Sequence, residues 1–318
     1  MKIFIDYFLP LLIMVLAAVL YFRVALNAGI IDRPNQRSSH NVPTIRGGGI
    51  IFLVAAVLFL CWNGFYFPYL MMALLVSGGV SFIDDIRTLP NWVRFGSHFI
   101  SVILLLVESG LLNSLNPLYL VAIIILAIGV INAYNFMDGI NGMTGLYSLA
   151  VIFPLYLAEQ NSLLASLELF FILGLLVFNF YNTRKRAVCF AGDVGSISLA
   201  IIIVFLLMVK IVSTQNFSYI GLLLVYGIDS CFTIFHRLLH HENIFSAHRK
   251  HLYQFLTNEK KIPQLWISSI YSSLQLILNL LIVFGHLGYL EILTIFVVLS
   301  LIYWIIKAPI LKVTQVNR

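Results

Sequence analysis

The most conspicuous shortage in this sequence of 318 residues is charge: 10% of the residues are Asp, Glu, Lys or Arg, while 61% are hydrophobic. A soluble globular domain contains about 25% charged residues. A soluble fold of this length could not bury so much apolar surface, so we infer that lipid surrounds much of the chain. The shortage of charge therefore argues against a soluble enzyme or a soluble binding domain.

Cysteine is also scarce, and internal repeats and long polar segments are missing. The three cysteines, Cys61, Cys189 and Cys231, lie far apart without metal-site spacing, so neither a disulfide framework nor a zinc site is predicted. We find no internal repeat of the kind that many transporters carry. The first apolar run lacks a small-residue cleavage site and is expected to be retained. We predict one integral membrane domain over residues 1–318.

Long apolar runs are what the sequence has in abundance. Runs of about 17–25 residues match the width of a bilayer when helical, and lipid offers backbone groups no partner outside a helix or a closed barrel. The runs are too uniformly apolar for the alternating strands of a barrel. The sequence therefore predicts an all-α, polytopic helical bundle. Its eleven expected transmembrane helices cover 4–22, 48–62, 66–83, 96–112, 117–134, 146–158, 163–181, 196–213, 217–236, 265–284 and 287–306.

Lysine and arginine are unevenly divided between the loops on the two sides of this bundle. One set of loops holds 17 of the 19 basic residues, and the other side keeps only Lys2 and Lys210. Because basic loops remain in the cytoplasm, we expect the N-terminus outside and the C-terminus in the cytoplasm. Basic loops against anionic lipid also explain the net charge of +6 without nucleic acid as a partner. The basic loops are 23–47, 84–95, 182–195, 237–264 and 307–318.

The few acidic residues on this basic side stand at predicted helix ends. Asp84 and Asp85 directly follow the apolar run YLMMALLVSGGVSFI, and Asp138 and Asp193 lie in other loops of the same side. Any one of them alone could be a helix cap or the counter-ion of an arginine. Their glycine-rich surroundings favour a functional site instead.

Three glycine-rich segments accompany these aspartates: PTIRGGGI (43–50), NAYNFMDGINGMTG (132–145) and CFAGDVGSIS (189–198). Glycine lets the backbone approach a ligand closely, and a glycine-rich turn into a helix N-terminus favours phosphate. An isolated carboxylate such as that of Asp193 favours a hard cation, and magnesium is often held by one or two carboxylates together with phosphates. The three segments therefore predict a site for phosphate and metal on one face of the membrane.

The loop after the ninth run, HRLLHHENIFSAHRKHLYQFL (236–256), contains five of the eight histidines. His248 and His251 are three residues apart and would share a face of a helix, although interfacial histidines are often only headgroup neighbours. Asp229, Thr233 and Arg237 are spaced to stack on one helical face. Asp229 lies inside its apolar run, where an ionisable group is either functional or paired structurally with Arg237, and both alternatives stay open.

Together, these motifs resemble the polyprenyl-phosphate N-acetylhexosamine-1-phosphate transferase family. The matching segments follow the family's order and span almost the whole chain: DRP (32–34), PTIRGGG, DDIRTLP, NFMDGINGMTG, AGDVGS and SAHRKHLYQ. The resemblance implies that a lipid phosphate attacks the β-phosphorus of a UDP-sugar and that UMP leaves. It also implies magnesium, with manganese as an alternative, because both reactants are anionic.

The resemblance also implies roles for individual residues. Asp193 would be the principal metal ligand, together with Asn135. Asp84 and Asp85 match the family's paired aspartates and, with His248, are expected to serve catalysis. Adjacent residues point about 100° apart on a helix, so we expect the two aspartates to differ in role. The residues expected to bind substrate are Arg46, Arg94, Asp138, Asn141 and His251.

The chain departs from the family pattern at two places: the first, Asn141, matches members of the dolichol branch, and the second, in the histidines, favours the branch that starts O-antigen chains. Asn141 stands where bacterial members often have a second aspartate, and the histidines match only at His248 and His251. The peptidoglycan branch, which transfers phospho-N-acetylmuramoyl-pentapeptide, has consecutive histidines there and is the alternative. A multispan transporter or flippase is a distant alternative from another class, because it would place ionisable residues near the bilayer midplane.

The expected partners follow from this interpretation. They are a UDP-N-acetylhexosamine, undecaprenyl phosphate and membrane lipids, with no nucleic acid and with a homodimer left open. The expected location is the bacterial inner membrane, where the protein would cross several times.

Overall fold

The structure is a computed structural model that describes residues 7–34, 39, 41–243 and 249–316. Two short strands, β1 (Ile31–Asp32) and β2 (Thr44–Ile45), pair antiparallel, and 3-10 turns at Gly48–Ile50 and Phe217–Leu223 precede two of the helices. The helices in this part of the chain are α1 (Leu9–Ala28), α2 (Ile51–Asn63), α3 (Pro68–Ile86), α4 (Asn91–Glu108), α5 (Leu111–Ser114), α6 (Pro117–Met137), α7 (Met143–Ala158), α8 (Ser162–Asn182), α9 (Gly192–Thr214), α10 (Leu224–Leu239), α11 (Leu252–Asn258), α12 (Gln264–Gly285) and α13 (Tyr289–Val316).

The predicted polytopic helical bundle is confirmed. In the described ranges, each of the eleven apolar runs lies largely on helical residues, and the run 96–112 is divided between α4 and α5. Within those ranges, 8 helices are long and apolar enough to cross a bilayer, and Gly48–Asn63 and Met143–Ala158 form shorter apolar helices. The number of eleven spans and the orientation of the termini stay predictions.

The boundary differences of α1 and α4 have local causes. α1 continues beyond the predicted end at residue 22 as far as Gly29, whose left-handed φ of 71° ends the helix. α4 begins directly after Pro90 and ends at Glu108 instead of residue 112. Gly110 then adopts a φ of 73° and separates α4 from the short α5.

Helix α9 forms the centre of the bundle. In its most apolar stretch 83% of the residues are buried, whereas the corresponding value for α13 is 11%. α9 packs against α3 and α6, while α12 packs against α7 and α3 against α4. A helix that is apolar on every side and buried, as α9 is, packs against its neighbours in the interior. An apolar helix that remains exposed, as α13 does, faces lipid.

The central helix begins where several polar loops meet. The C-terminal ends of α3 and α6, strand β2 and the first turn of α9 lie together at one end of the bundle. Backbone hydrogen bonds join β2 and the following turn to the segment before α9: Phe190 N to Ile45 O at 2.8 Å, and Gly48 N to Phe190 O at 2.8 Å. The bundle therefore brings the predicted site segments to one face.

We expect this face to be cytoplasmic, and cysteine labelling tests that expectation. Glu259→Cys, at the exposed end of α11, should resist a membrane-impermeant maleimide in intact cells, whereas Asn113→Cys, exposed on α5, should react. Both substitutions belong in a background in which the exposed Cys61 and Cys231 are replaced by serine. Both sites should react after permeabilisation. Labelling of Glu259→Cys from outside would reverse the topology.

Candidate active site

An ion pair between Arg46 and Asp85 joins the segment after β2 to the end of α3. Arg46 Nε donates to Asp85 Oδ1 at 2.7 Å. The same carboxylate accepts the backbone N–H of Asp193 at 2.9 Å and that of Val194 at 3.0 Å. Asp85 therefore satisfies the first amides of α9, where the positive end of the helix dipole favours an anion.

This arrangement differs from the phosphate that the sequence predicted at the N-terminus of α9. The amides of Asp193 and Val194 are already bonded to Asp85, whose side chain is completely buried. A phosphate would have to displace a carboxylate that also neutralises Arg46. Any phosphate at this site is better placed against the exposed part of Arg46 than on the helix N-terminus.

Close backbone packing explains two of the glycines around this ion pair. A Cβ on Gly49 would overlap the backbone of Gly195 in α9. Gly192 has a φ of 70°, and a Cβ there would overlap the carboxylate of Asp85. The glycines that looked like a ligand cradle in the sequence therefore serve first to let the segments of the site approach each other.

Asp193 lies in the more open part of the site, and the buried Asp84 borders it. Arg94 reaches both of them, with Nη1 3.4 Å from Asp84 Oδ2 and Nη2 3.8 Å from Asp193 Oδ2, and Arg46 Nη2 lies 3.5 Å from Asp193 Oδ1. Arg94 therefore bridges the two carboxyl groups. The side chains of Arg46, Arg94 and Asp193 are 36%, 29% and 18% exposed, so these three can meet a ligand.

The paired aspartates therefore have different surroundings, as their positions on the helix predicted. Asp84 Oδ1 accepts the backbone N–H of Leu89 at 2.5 Å, which fixes the turn between α3 and α4. Its Oδ2 faces Arg94. Asp85 instead faces Arg46 and the start of α9. Asp84 is thus the member of the pair that borders the open part of the site.

Charge around Arg46 keeps its guanidinium ionised. Burial lowers the pKa of Arg46, but the neighbouring carboxylates of Asp85 and Asp193 outweigh that effect and raise the pKa above its ordinary value. Arg46 can therefore act as a permanent cation for phosphate oxygens, which a planar guanidinium binds well.

The C-terminal end of α6 contributes Asn135, in the last turn of the helix, and Asp138, the residue that follows the helix. Ser196, on the first turn of α9, donates its hydroxyl to Asn135 Oδ1 at 2.9 Å, which places Asn135 beside the helix turn of Asp193. Thr144 donates to Asp138 Oδ1 at 2.7 Å. Burial raises the pKa of Asp138 to about 6, against the opposing effect of the Thr144 hydrogen bond. Both candidates therefore lie at the predicted site.

Asn141 is held by its neighbours on three sides. Its backbone N–H donates to Gln264 Oε1 at 3.0 Å, its Nδ2 donates to Arg184 O at 2.9 Å, and its carbonyl accepts the hydroxyl of Ser268 at 2.7 Å. Because these bonds join the 138–142 turn to α12 and to the end of α8, Asn141 shapes the wall of the site.

The sequence analysis missed Asn182, the last residue of α8. Its Oδ1 accepts the N–H of Gly142 at 2.7 Å, and its Nδ2 donates to Cys189 O at 2.8 Å. Asn182 thus connects the turn that follows Asp138 with the segment that precedes Asp193. Its position at the polar end of an apolar run, next to a basic loop, was the available signal.

The structure describes only one of the two candidate histidines. His248 lies outside the described residues, so its role stays a prediction. His251 is buried, with Nδ1 3.5 Å from Asp229 Oδ1. It has an extended backbone and caps α11, so it is not part of a helical face. Its substrate-binding role stays a prediction. Because the ring is buried, an indirect contribution to substrate binding is favoured over direct contact.

The spacing of Asp229, Thr233 and Arg237 correctly predicted one helical face, since all three are buried on α10. Asp229 accepts the backbone N–H of Leu252 at 2.9 Å and the hydroxyl of Tyr271 at 2.9 Å. Arg237 bonds to Glu242 instead, with Nε 3.4 Å from Oε2. Asp229 and Arg237 therefore do not form the structural pair that the sequence analysis left open as an alternative.

The donor set at Asp193 suits a metal that is only partly held by protein. Among the described residues, no three His, Cys, Asp or Glu side chains converge as a complete metal site. Asp84 and Asp193 nevertheless place two carboxylates side by side, which favours a cation between them, and the nearest guanidinium groups lie 3.4–3.8 Å away. Magnesium commonly takes one or two carboxylates and completes its shell with water and substrate phosphates.

The fold and the site define a polytopic helical membrane protein with a carboxylate and arginine cluster suited to phosphate chemistry. A model of glycosyl transferase family 4 matches residues 67–211, which include Asp84, Asp85, Asp138 and Asp193. This match and the similar proteins described below support the polyprenyl-phosphate N-acetylhexosamine-1-phosphate transferase family, which the motifs predicted. The protein is a phospho-sugar transferase with several membrane helices.

Relatives align over most of the chain. A probable undecaprenyl-phosphate N-acetylglucosaminyl 1-phosphate transferase of Bacillus subtilis is 25% identical over 278 residues, which cover 80% of this chain and 77% of the relative. An undecaprenyl-phosphate alpha-N-acetylglucosaminyl 1-phosphate transferase of Salmonella typhi is 26% identical over 261 residues, or 74% and 71%. A phospho-N-acetylmuramoyl-pentapeptide-transferase of Dictyoglomus thermophilum is 26% identical over 237 residues, or 69% and 76%.

Proposed function

We propose that this protein transfers N-acetylhexosamine-1-phosphate from a UDP-sugar to undecaprenyl phosphate, releases UMP and thereby starts a lipid-linked glycan at the bacterial inner membrane. The observation that carries this proposal is the cluster of Asp84 and Asp193 with Arg46 and Arg94 at one end of the bundle. A headgroup phosphate and a cytosolic nucleotide sugar can meet at this level. The names of the relatives from B. subtilis and S. typhi support the acceptor and the sugar class.

Each residue of the cluster has a proposed role in the bond changes of the transfer reaction. An oxygen of the lipid phosphate forms a bond to the β-phosphorus, and the bond between that phosphorus and the oxygen of the leaving UMP breaks. Arg46 and Arg94 hold the negative phosphate oxygens during this exchange. Asp84 orients the lipid phosphate or takes its proton. A magnesium ion bound by Asp193 and Asn135 would supply positive charge to the diphosphate.

The buried and structural residues prepare this cluster. Asp85 fixes Arg46 and the first turn of α9, so that Asp193 and Arg46 are held before substrate arrives. Such preorganisation lowers the barrier because the charges need not reorganise during the reaction. Asn141 and Asn182 hold the turn that follows Asp138, a residue expected to bind substrate.

The donor is proposed to be a simple UDP-N-acetylhexosamine of the kind used to start O-antigen chains. The segment HRKHLYQ departs from the consecutive histidines of the peptidoglycan branch. The relatives from B. subtilis and S. typhi also align over more of this chain than the D. thermophilum relative does. The peptidoglycan-type alternative is therefore not favoured. The residues that discriminate among sugars would include His248 and His251.

An assay in membranes tests the proposal through release of UMP. Membranes containing the protein would receive undecaprenyl phosphate with a panel of UDP-N-acetylhexosamines, including N-acetylglucosamine, N-acetylfucosamine and N-acetylquinovosamine. We expect UMP and a lipid-linked sugar diphosphate from at least one simple donor, with dependence on added magnesium. Membranes containing the Asp193→Asn variant provide the matched background.

The same panel separates the alternatives. Transfer from UDP-N-acetylmuramoyl-pentapeptide alone would assign the protein to the peptidoglycan branch. Release of UMP that does not require undecaprenyl phosphate would contradict the proposed acceptor. Activity that survives complete removal of divalent metal would contradict the proposed use of magnesium.

A further inference from the structure

Asp229 lies inside an apolar helix long enough to cross a membrane, yet it is bonded to the segment that follows that helix. It is 1% exposed on α10. Its Oδ1 accepts the backbone N–H of Leu252 at 2.9 Å, and its Oδ2 accepts that of Tyr253 at 3.4 Å. These are first amides of α11, where a carboxylate compensates the unpaired N–H groups and the helix dipole. The membrane helix therefore holds the N-terminus of α11.

Side chains from two further helices also contact Asp229, in addition to Thr233 on its own helix and the ring of His251. The hydroxyl of Tyr271 in α12 donates to Asp229 Oδ2 at 2.9 Å, and the hydroxyl of Tyr303 in α13 donates to Asp229 Oδ1 at 3.4 Å. The ammonium group of Lys307, which is 1% exposed, donates to Thr233 at 2.8 Å and also to Tyr303. An ion buried in a membrane is costly unless it is paired. Lys307 supplies positive charge to the network that contains Asp229.

Tyr253 carries this connection from α11 to the proposed active site. Its side chain is completely buried, and its hydroxyl donates to Phe136 O at 2.9 Å. Phe136 lies in the last turn of α6, next to Asn135. The tyrosine also fills the space beside Gly139, where an added Cβ would overlap its hydroxyl. Tyr253 therefore braces the turn that contains Asn135 and Asp138.

We propose that Asp229 and Tyr253 are positioning residues for the transfer reaction: Asp229 fixes α11, and Tyr253 holds the turn with Asn135 and Asp138 in its reactive position. This inference rests on the proposed function. It assigns to the buried aspartate a role in alignment and none in the chemical step. It also gives the Tyr253 hydroxyl a function that a packing aromatic ring would not need.

Two variants test this connection at its two ends. Tyr253→Phe removes one hydroxyl and keeps the ring, while Asp229→Asn removes the charge with little change in volume. Tyr147→Phe is the matched control, because Tyr147 is also completely buried and donates its hydroxyl to another buried group, Gln275 Oε1, at 2.7 Å. Tyr147 does not contact α11 in the described hydrogen bonds. Thermal unfolding in detergent allows variants of equal stability to be compared.

Steady-state kinetics and hydrogen exchange provide the two readouts. We expect Tyr253→Phe to lower kcat/KM for the UDP-sugar about tenfold, since misplacement of reacting groups is costly even when small. The KM for undecaprenyl phosphate should change little, and Tyr147→Phe should leave both constants near wild type. Amide exchange should accelerate in 135–142 for Tyr253→Phe, and in 249–258 for Asp229→Asn.

The outcomes separate this inference from the proposed function. If the wild type transfers sugar phosphate and Tyr253→Phe retains the kcat/KM of the control, the positioning role is wrong. Unchanged exchange in 249–258 of a folded Asp229→Asn variant would also overturn it. If the wild type releases no UMP from any UDP-sugar, the proposed function fails, and the exchange measurement alone decides whether Asp229 holds α11.

Discussion

Asp193→Asn is expected to lower the rate of sugar-phosphate transfer at least about a hundredfold, because several kcal/mol of charge stabilisation would be lost with the metal. The substitution preserves the volume of the side chain and the backbone N–H that donates to Asp85. It removes the negative charge that lies beside Asp84 and faces Arg46 and Arg94. The fold should therefore survive while turnover falls.

The measurement is turnover in purified protein over a range of magnesium concentrations, with thermal unfolding recorded for the same samples. Glu259→Gln, which removes an exposed carboxylate at the end of α11, is the matched control and should retain wild-type turnover. A folded Asp193→Asn protein that turns over like the control would rule out Asp193 as the principal metal ligand.

Asp85→Asn and Asp84→Asn are expected to fail in different ways. Loss of the Asp85 charge leaves the partly buried Arg46 without its closest partner and weakens the bonds to the first amides of α9. Breaking a buried ion pair typically lowers the free energy of unfolding by about 3–5 kcal/mol. We expect a smaller loss of stability for this pair because Arg46 is 36% exposed. Asp85→Asn should therefore lower the unfolding temperature clearly, and activity should fall with it.

Asp84→Asn should leave stability closer to wild type, because an amide oxygen can still accept the N–H of Leu89. Turnover should fall about a hundredfold or more, the usual effect of losing a group that assists proton transfer. Binding of the UDP-sugar, measured by calorimetry, should survive in this variant. Equal loss of stability in both variants, or normal turnover in both, would show that the pair only anchors the helix end.

Several features of this protein were readable from local sequence patterns. Long apolar runs predicted the helices, since a backbone in lipid must satisfy its own hydrogen bonds. The aspartates among glycines indicated one polar face, and the structure brings Asp84, Asp138 and Asp193 to one end of the bundle. The adjacent positions of Asp84 and Asp85 also predicted that their surroundings would differ. Each of these inferences needs only neighbouring residues.

The tertiary structure alone decided which hydrogen-bond partners the buried polar side chains have. Asp85 caps a helix whose first residue follows more than a hundred positions later, and Asp229 bonds to α11 instead of to Arg237. The glycines of the three motifs looked like a phosphate cradle, whereas Gly49 and Gly192 first allow close contact between segments. Asn182 gave little sequence signal because its partners, Gly142 and Cys189, meet only after the helices pack.

The physical reason for this division lies in the range of the forces involved. Hydrophobic periodicity and the cost of unpaired backbone groups act along the chain, so the sequence by itself determined a polytopic helical bundle with its aspartates at the helix ends. A buried carboxylate, in contrast, takes whichever donors the packed helices bring within about 3 Å of it. Only the fold decided that Asp85 would organise α9, that Asp84 and Asp193 would share the open site, and that Asp229 would hold α11.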